Sequence, residues 1–394
     1  MLEATDAWLV NIDNGLLNGV VFIDQSKAFD TIDHKIILRK MSYLGVDQAA
    51  IKWFSSYLSG RTQRCSVNGK LSTARTLRCG VPQGSILGPL LFLIYINDLP
   101  NSLRDAVPRM FADDTNLTLS AKTLTELKLA LTPELKNLSC WLKANRLSLN
   151  VAKTELMIIG SRQRLSVHCD DLEIKIADQI IKRVDHTKSL GLTIDDHLSW
   201  CKHVDEICKK VSSAIGALKR VRLFISKETA IQIYNALIMP HFDYCSPVWD
   251  CLSGYLSDKL QKLQNRAARI ITKSPFDTSS DHLLSTLDWE RLFLRRKKQK
   301  ALMMFKSING LAPEYLQSLF SQSRSVYNLR DSEGKLTLPK PSTNYLKRSF
   351  SYSGAMLWNN MPKSLKNAVS VNHFTRLIKN LSLADISDSH TAIM

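Results

Sequence analysis

The sequence predicts an α+β fold: an antiparallel sheet of the split βαβ plan packed on helices, followed by a mainly helical thumb-like and C-terminal region. Strand-length apolar runs at residues 19–23 and 155–159 predict the sheet, and long helical periods at 35–43, 48–58 and 124–144 predict its cover. From residue 204 onward the apolar spacing turns helical, over 204–222, 227–237, 256–271 and 291–308.

Taken in order, residues 19–23 are apolar and β-branched, the composition of a strand buried on both faces, and Asp24 falls where that strand leaves the core. Two helices follow, separated by Gly45. Residues 64–67 and 75–78 predict a hairpin around Asn68-Gly69. Residues 86–99 predict an apolar helix with Pro89 in its first turn, where a missing amide donor is harmless. Around Phe111 the apolar residues give way to Asp113-Asp114, and the alternation over 115–119 predicts a returning strand with the paired acids in the turn. Residues 321–352 are polar and broken by Pro339 and Pro341, which predicts a loop, and Trp358 is expected in the core.

An acid at the end of a buried strand persists only where something positive meets it. Two adjacent carboxylates repel and raise each other's pKa unless a divalent cation neutralises them. Singly, an Asp-Asp turn is ordinary turn chemistry and an Asp after a strand is ordinary capping. Together with the Gly/Pro turn Gly80-Val81-Pro82-Gln83-Gly84-Ser85, they are the parts that hold two metal ions under a nucleotide, which points to a polymerase palm.

The blocks Phe22–His34, Gly80–Pro89, Phe111-Ala112-Asp113-Asp114, Leu149–Glu155 and Leu190–Ile194 closely resemble the reverse transcriptase of non-LTR retrotransposons, nearest the jockey-like elements. Residues 267–271 and 357–362 resemble that family's C-terminal part, so the resemblance covers almost the whole chain. It implies an RNA-directed DNA polymerase that adds dNTPs to a DNA primer on an RNA template, with two Mg²⁺ ions, or Mn²⁺ as a substitute. Asp24 and Asp113 match the principal metal ligands and Asp114 the accompanying acid, with a carbonyl at the strand end as a further oxygen. Phe29 is similar to the bulky residue that excludes a ribose 2′-hydroxyl, Gln83 and Gly84 match the turn beside the nascent base pair, and Lys153 matches the lysine near the triphosphate. A lone lysine is more often a solvated amine, so Lys153 ranks below the acids.

The resemblance also marks departures. Relative to a full element the chain is expected to be truncated at its N-terminus, lacking most of the fingers and the upstream endonuclease, and it has no block resembling RNase H. The resulting domain expectation is a palm over 1–200, a helical thumb-like region over 201–275 and a basic helical region over 276–394.

At 394 residues and 44% hydrophobic content the chain can bury a large core. No apolar run is long enough to span a bilayer, and Glu3 and Asp6 stand where a signal peptide would be positive. The eight cysteines form no CxxC pair, and Cys201, His203 and Cys208 lack a usual zinc spacing, so reduced thiols are expected. Access to nuclear DNA implies an intracellular protein of the nucleus and cytoplasm.

Charge is unevenly placed. Residues 1–200 carry 24 Lys+Arg against 21 Asp+Glu, whereas residues 201–394 carry 29 against 15, so most of the net +17 lies behind the acidic blocks. Arg291, Arg295, Arg296, Lys297 and Lys298 are the densest cluster and the candidate nucleic-acid contact, with a solvated helix face or an import signal as equal readings. An alternative to the enzyme is a catalytically silent nucleic-acid-binding remnant that keeps the fold, although none of the three acids is lost. An unrelated α+β structural protein would require every block to be coincidence.

Overall fold

The computed structural model describes residues 1–167, 173–176, 178–322 and 334–379. The chain folds as two compact units, one of residues 16–190 and one that joins residues 1–15 to everything from Gly191 onward. The expected divisions at 200 and 275 do not coincide with this one, because the first helix, α1 (Leu2–Asp13), packs on helices at the far end of the chain.

The 16–190 unit is built on five strands: β1 (Leu17–Ile23), β2 (Val107–Phe111), β3 (Asp114–Ala121), β4 (Glu155–Ile159) and β5 (Lys182–Arg183), in the spatial order β5-β4-β1-β3-β2. β1 runs antiparallel to both β3 and β4, β3 antiparallel to β2, and only the edge pair β4–β5 is parallel. Every residue of β1 is buried, as the apolar run 19–23 requires of a central strand, and the polar Asn18 is buried with it. One face meets α5 (Leu124–Ala144), whose Leu127, Leu131, Leu135 and Leu138 recur at helical spacing and are fully buried. Each such side chain contributes about 1.5–3 kcal/mol by leaving water. Gly19 is needed at this crossing, since a Cβ there would lie 2.9 Å from side-chain carbons of both Leu127 and Leu131.

Three further helices, α2 (His34–Tyr43), α3 (Gln48–Leu58) and α4 (Leu87–Ile96), complete the core. α2 begins where its sequence says it should: the Asp33 carboxylate accepts the amides of Lys35 and Ile36 at 2.9 and 3.0 Å and pairs with Arg146 at 2.6 Å. Between α3 and α4 the expected hairpin is rearranged. Asn68-Gly69 does form a turn, but 66–67 pairs with 70–71, and 75–76 pairs instead with 62–63, giving an exposed two-step ribbon. The alternation of a short polar segment specifies its partner weakly.

In the second unit the principal helices are α6 (Cys201–Val221), α7 (Lys227–Leu237), α8 (Gly254–Thr272), α9 (Leu292–Ile308), α10 (Phe350–Asn360) and α11 (Val371–Lys379). Two acids of α1 hold it to the far end of this unit. Asp13 accepts from the backbone amides of Ser342 and Thr343 at 3.0 and 2.6 Å, and Asp6 accepts from the amide of Ser351 at 2.7 Å. The expected loop over 321–352 is interrupted by a short helix, Asn344–Lys347, and by the start of α10, whose first turn is capped by the Ser349 hydroxyl; residues 323–333 of that expectation lie outside the described residues. Trp358 is 3% exposed and belongs to the core. Among the described residues no helix is long and apolar enough to cross a membrane.

Candidate active site

The antiparallel register decides where the acids meet. Ile23 of β1 stands opposite Thr115 of β3, so the next step along β1 places Asp24 across from Asp114. Phe111 pairs with Asp114, which leaves Ala112 and Asp113 as the two-residue turn between β2 and β3. Asp113 is therefore the turn residue and Asp114 the first residue of the returning strand. The turn requires φ +52° at Ala112, a left-handed conformation that costs an alanine about 1 kcal/mol and lies directly beside the acids.

The three carboxylates share an electrostatic neighbourhood. Burial, then the negative charges of Asp113 and Asp24, push the Asp114 carboxyl above its ordinary 3.8. Buried polar atoms beside them are also unmatched: both ends of the Gln25 amide, the Thr115 hydroxyl and the Asn116 carbonyl oxygen have no hydrogen-bond partner among the described residues. The three carboxylates, with the Gln25, Thr115 and Asn116 side-chain oxygens near them, are hard oxygen donors of the kind magnesium takes, and in donor chemistry they fit such an ion, whereas the Gln25 amide nitrogen does not. Their side chains do not converge by themselves, for among the described residues no group of three or more His, Cys, Asp or Glu stands ready to hold a metal.

The other blocks are tied to these strand ends by backbone bonds. Phe29 sits in a 3₁₀ turn, Ala28–Asp30, entered through a left-handed Lys27, and its half-buried ring stacks on Phe92 with centroids 4.7 Å apart. The Gly80–Ser85 turn is fastened to that segment. Gly80 N–H donates to Ile32 O at 2.8 Å, Val81 N–H to Phe29 O at 2.9 Å, and the Gln83 amide to Asp30 Oδ1 at 2.9 Å. Gly80, at φ +84°, has no room for a side chain, because a Cβ would lie 2.8 Å from the Asp30 carbonyl oxygen. Gly84, at φ +78°, faces open space. Lys153 is exposed in the 3₁₀ turn Val151–Lys153, and the Asn150 amide anchors that turn to the Asp24 carbonyl at 2.9 Å. Asp24, Phe29, Gln83, Gly84, Asp113, Asp114 and Lys153 thus belong to one unit.

The expected basic cluster fares differently. Arg295 is engaged by both carboxylate oxygens of Asp243, at 2.6 Å each, and Lys298 by Glu290 at 2.7 Å. Arg291 pairs with Asp281 at 2.7 Å. Arg296, only 2% exposed, lies with Lys300 around the buried Asp250, and the Lys297 ammonium sits over the Phe293 ring. The run that reads as a free polycation is largely an internal ion-pair network along α9.

A different basic feature escaped the sequence reading. The exposed ribbon over 62–76 and its flanks carry Arg61, Arg64, Lys70, Arg75 and Arg78, and the ribbon is joined to the first acidic block by a bridge between Cys79 and Asp33. The signal was present: between Asp47 and Asp98 there is no acid at all.

Residues 9–194 match the family described as reverse transcriptase (RNA-dependent DNA polymerase). The probable RNA-directed DNA polymerase from transposon BS of Drosophila melanogaster is 29% identical over 275 residues, covering 65% of this chain and 29% of that protein. The RNA-directed DNA polymerase from mobile element jockey, also of Drosophila melanogaster, is 24% identical over 308 residues, covering 76% of this chain and 32% of the relative. The chain therefore spans under a third of the length of these relatives. Among solved structures, apo telomerase from Candida tropicalis aligns over 75% of this chain and 50% of its own at 12% identity, with a TM-score of 0.37.

Proposed function

We propose, from the match of residues 9–194 to the reverse transcriptase family, that this chain carries out RNA-templated DNA synthesis, transferring deoxynucleotides to a primer 3′-hydroxyl. The observation that carries the reading is the placement of Asp24 across from Asp114, with Asp113 in the adjoining turn. Asp24 and Asp113, with Asp114 beside them, would hold the divalent cations. When bound, such ions supply positive charge that lowers the pKa of a hydroxyl and stabilises a leaving pyrophosphate.

The chain's own residues do the remaining work. The Gly84 backbone, without a Cβ and facing open space, admits close approach of a nucleobase pair, and the Gln83–Asp30 bond fixes the turn that presents it. Phe29, braced by Phe92, presents a ring edge to the sugar, so a ribose 2′-hydroxyl is excluded by bulk. Lys153 reaches for the triphosphate with a point charge and three donors. The basic ribbon adds long-range attraction for a polyanion.

The test is primer extension on an RNA template with Mg²⁺. Extension by the wild-type chain that disappears in Asp113→Ala, with RNA binding retained, is the expected result. Equal RNA binding by both proteins with extension by neither would replace this reading with the silent binder.

A further inference from the structure

The second unit contains a cleft of about 830 Å³ whose charge is of one sign. Its wall is a stripe of α8, where Lys262, Arg266, Arg269 and, just past the helix, Lys273 recur at intervals of four, three and four residues, and so share one face. The opposite face of α8 buries Leu256, Leu260, Ala267, Ala268 and Ile271, so packing alone aims the cations outward. Lys219 and Arg222 approach from the end of α6.

Among the described residues no carboxylate lines the cleft. Lys219, Lys262, Arg266 and Lys273 form no ion pair among those residues, in contrast to the network along α9. Arg222 is buried and donates to main-chain carbonyls, to Ile271 at 3.0 and 2.7 Å and to Ile225 at 2.9 Å, so its charge is solvated but not neutralised. The buried Nε of Arg269 has no partner among the described residues. The flanking acids stay outside the lining: Glu228 and Asp277 are exposed, Glu228 within electrostatic reach of Arg222 alone among the lining cations, and Asp281 is committed to Arg291.

One more observation separates this site from a simple anion sink. Phe276, 90% exposed, stands at the rim with the Arg269 guanidinium 5.3 Å from its ring centroid, and Phe224, 86% exposed, follows the lining residue Leu223. An aromatic ring held in water beside unpaired cations matches an unstacked base joined to its phosphate, whereas a duplex offers no free base face.

We propose that this cleft binds single-stranded nucleic acid, its cations along the phosphodiester backbone and Phe276 under a base. The site deepens the proposed function by giving the second unit its own strand-binding surface, and it rests on that reading only in expecting a nucleic-acid ligand.

Fluorescence anisotropy of the full chain with labelled oligouridylate and oligothymidylate, in EDTA and over a range of salt, tests it without any nucleotidyl transfer. Lys262→Glu with Arg266→Glu should weaken binding about tenfold or more and flatten the log–log salt slope by roughly 1.4, about 0.7 per lost phosphate contact. Phe276→Ala should weaken binding about tenfold and leave the slope unchanged, because stacking releases no counterions. Thermal unfolding confirms that the variants remain folded. Unchanged affinity in either variant overturns the proposal, as does polyglutamate competing as well as the oligonucleotides, which would make the cleft an acidic-protein site. The ratio of the two oligonucleotide affinities distinguishes RNA from DNA as the occupant. A chain that binds as expected yet extends no primer upholds the cleft and rejects the active site; the converse result separates them the other way.

Discussion

The backbone amide of Asn150 donates to the carbonyl of Asp24 at 2.9 Å, which fastens the lysine-bearing turn to the end of the strand that carries the first acid. The Asn150 carbonyl in turn accepts the amides of Lys153 and Thr154 at 3.1 and 3.0 Å, so the turn is closed on itself, and the pairing of Gln25 with Leu149 and Ser26 with Ser148 extends its tie to the strand end.

Asn150→Pro removes that donor while keeping the carbonyl, and draws the native φ of −91° toward the roughly −65° that proline adopts. Loss of one hydrogen bond costs about 1 kcal/mol, so the urea midpoint should move little. Misplacing Lys153 relative to Asp24 should slow primer extension by about tenfold to a hundredfold. Single-turnover extension measured beside urea unfolding checks both halves of this expectation.

Gly80 and Gly84 share a left-handed backbone but differ in surroundings. Gly84→Ala should cost only the conformational penalty, about 1–2 kcal/mol. Gly80→Ala adds a collision with the Asp30 carbonyl oxygen, which must move and take the Gln83 bond with it. Its destabilisation should exceed that of Gly84→Ala, and KM for dNTP should rise in the same variant. Equal unfolding midpoints for the two variants would contradict the crowding at Gly80.

Phe29→Val shortens the residue assigned to the sugar edge. Incorporation of ribonucleotides relative to deoxynucleotides should rise about tenfold or more, a pocket effect of ordinary size. The lost stacking on Phe92 should cost about 0.5–1.5 kcal/mol beyond the area lost. Unaltered sugar discrimination would remove Phe29 from the site.

Asp250 predicts a pH signature. Burial alone would raise its carboxyl, but the Lys300 ammonium and the Arg296 guanidinium together outweigh burial and hold it below 3.8. A depressed folded-state pKa contributes stability above the unfolded value and loses it as the pH falls through the folded one. Asp250→Asn should therefore lose about 3–5 kcal/mol near neutrality, and the gap from wild type should close as the solution is acidified below about pH 4. Asp6, which burial pushes upward, contributes with the opposite sign and cancels in this difference. Urea unfolding of both proteins across that pH range checks the sign. Arg296→Ala should likewise lower the melting temperature and leave RNA affinity of the folded protein unchanged.

Much of the first unit was legible in one dimension. The strand before Asp24, the helix over 124–144 and the acids around a strand turn follow from spacing and turn chemistry within a few residues, and the structure keeps each of them. The resemblance in five blocks adds residue roles that periodicity does not carry. The ribbon's pairing was misjudged because short polar strands specify a partner weakly.

What the sequence determined by itself is the inventory: two amphipathic periods, three aspartates at strand ends, and a surplus of cations in the second half. Tertiary structure decided which charges are spent and which are free. The cations of α9 meet Asp243, Asp250, Asp281 and Glu290, while on α8 Lys259 meets Asp205 but Lys262 and Arg266 in the cleft form no ion pair among the described residues. It also sent α1 to Ser342, Thr343 and Ser351, over three hundred residues away. Period and capping are encoded between neighbours in the chain, whereas the partner of a long charged side chain depends on the path of the backbone between them.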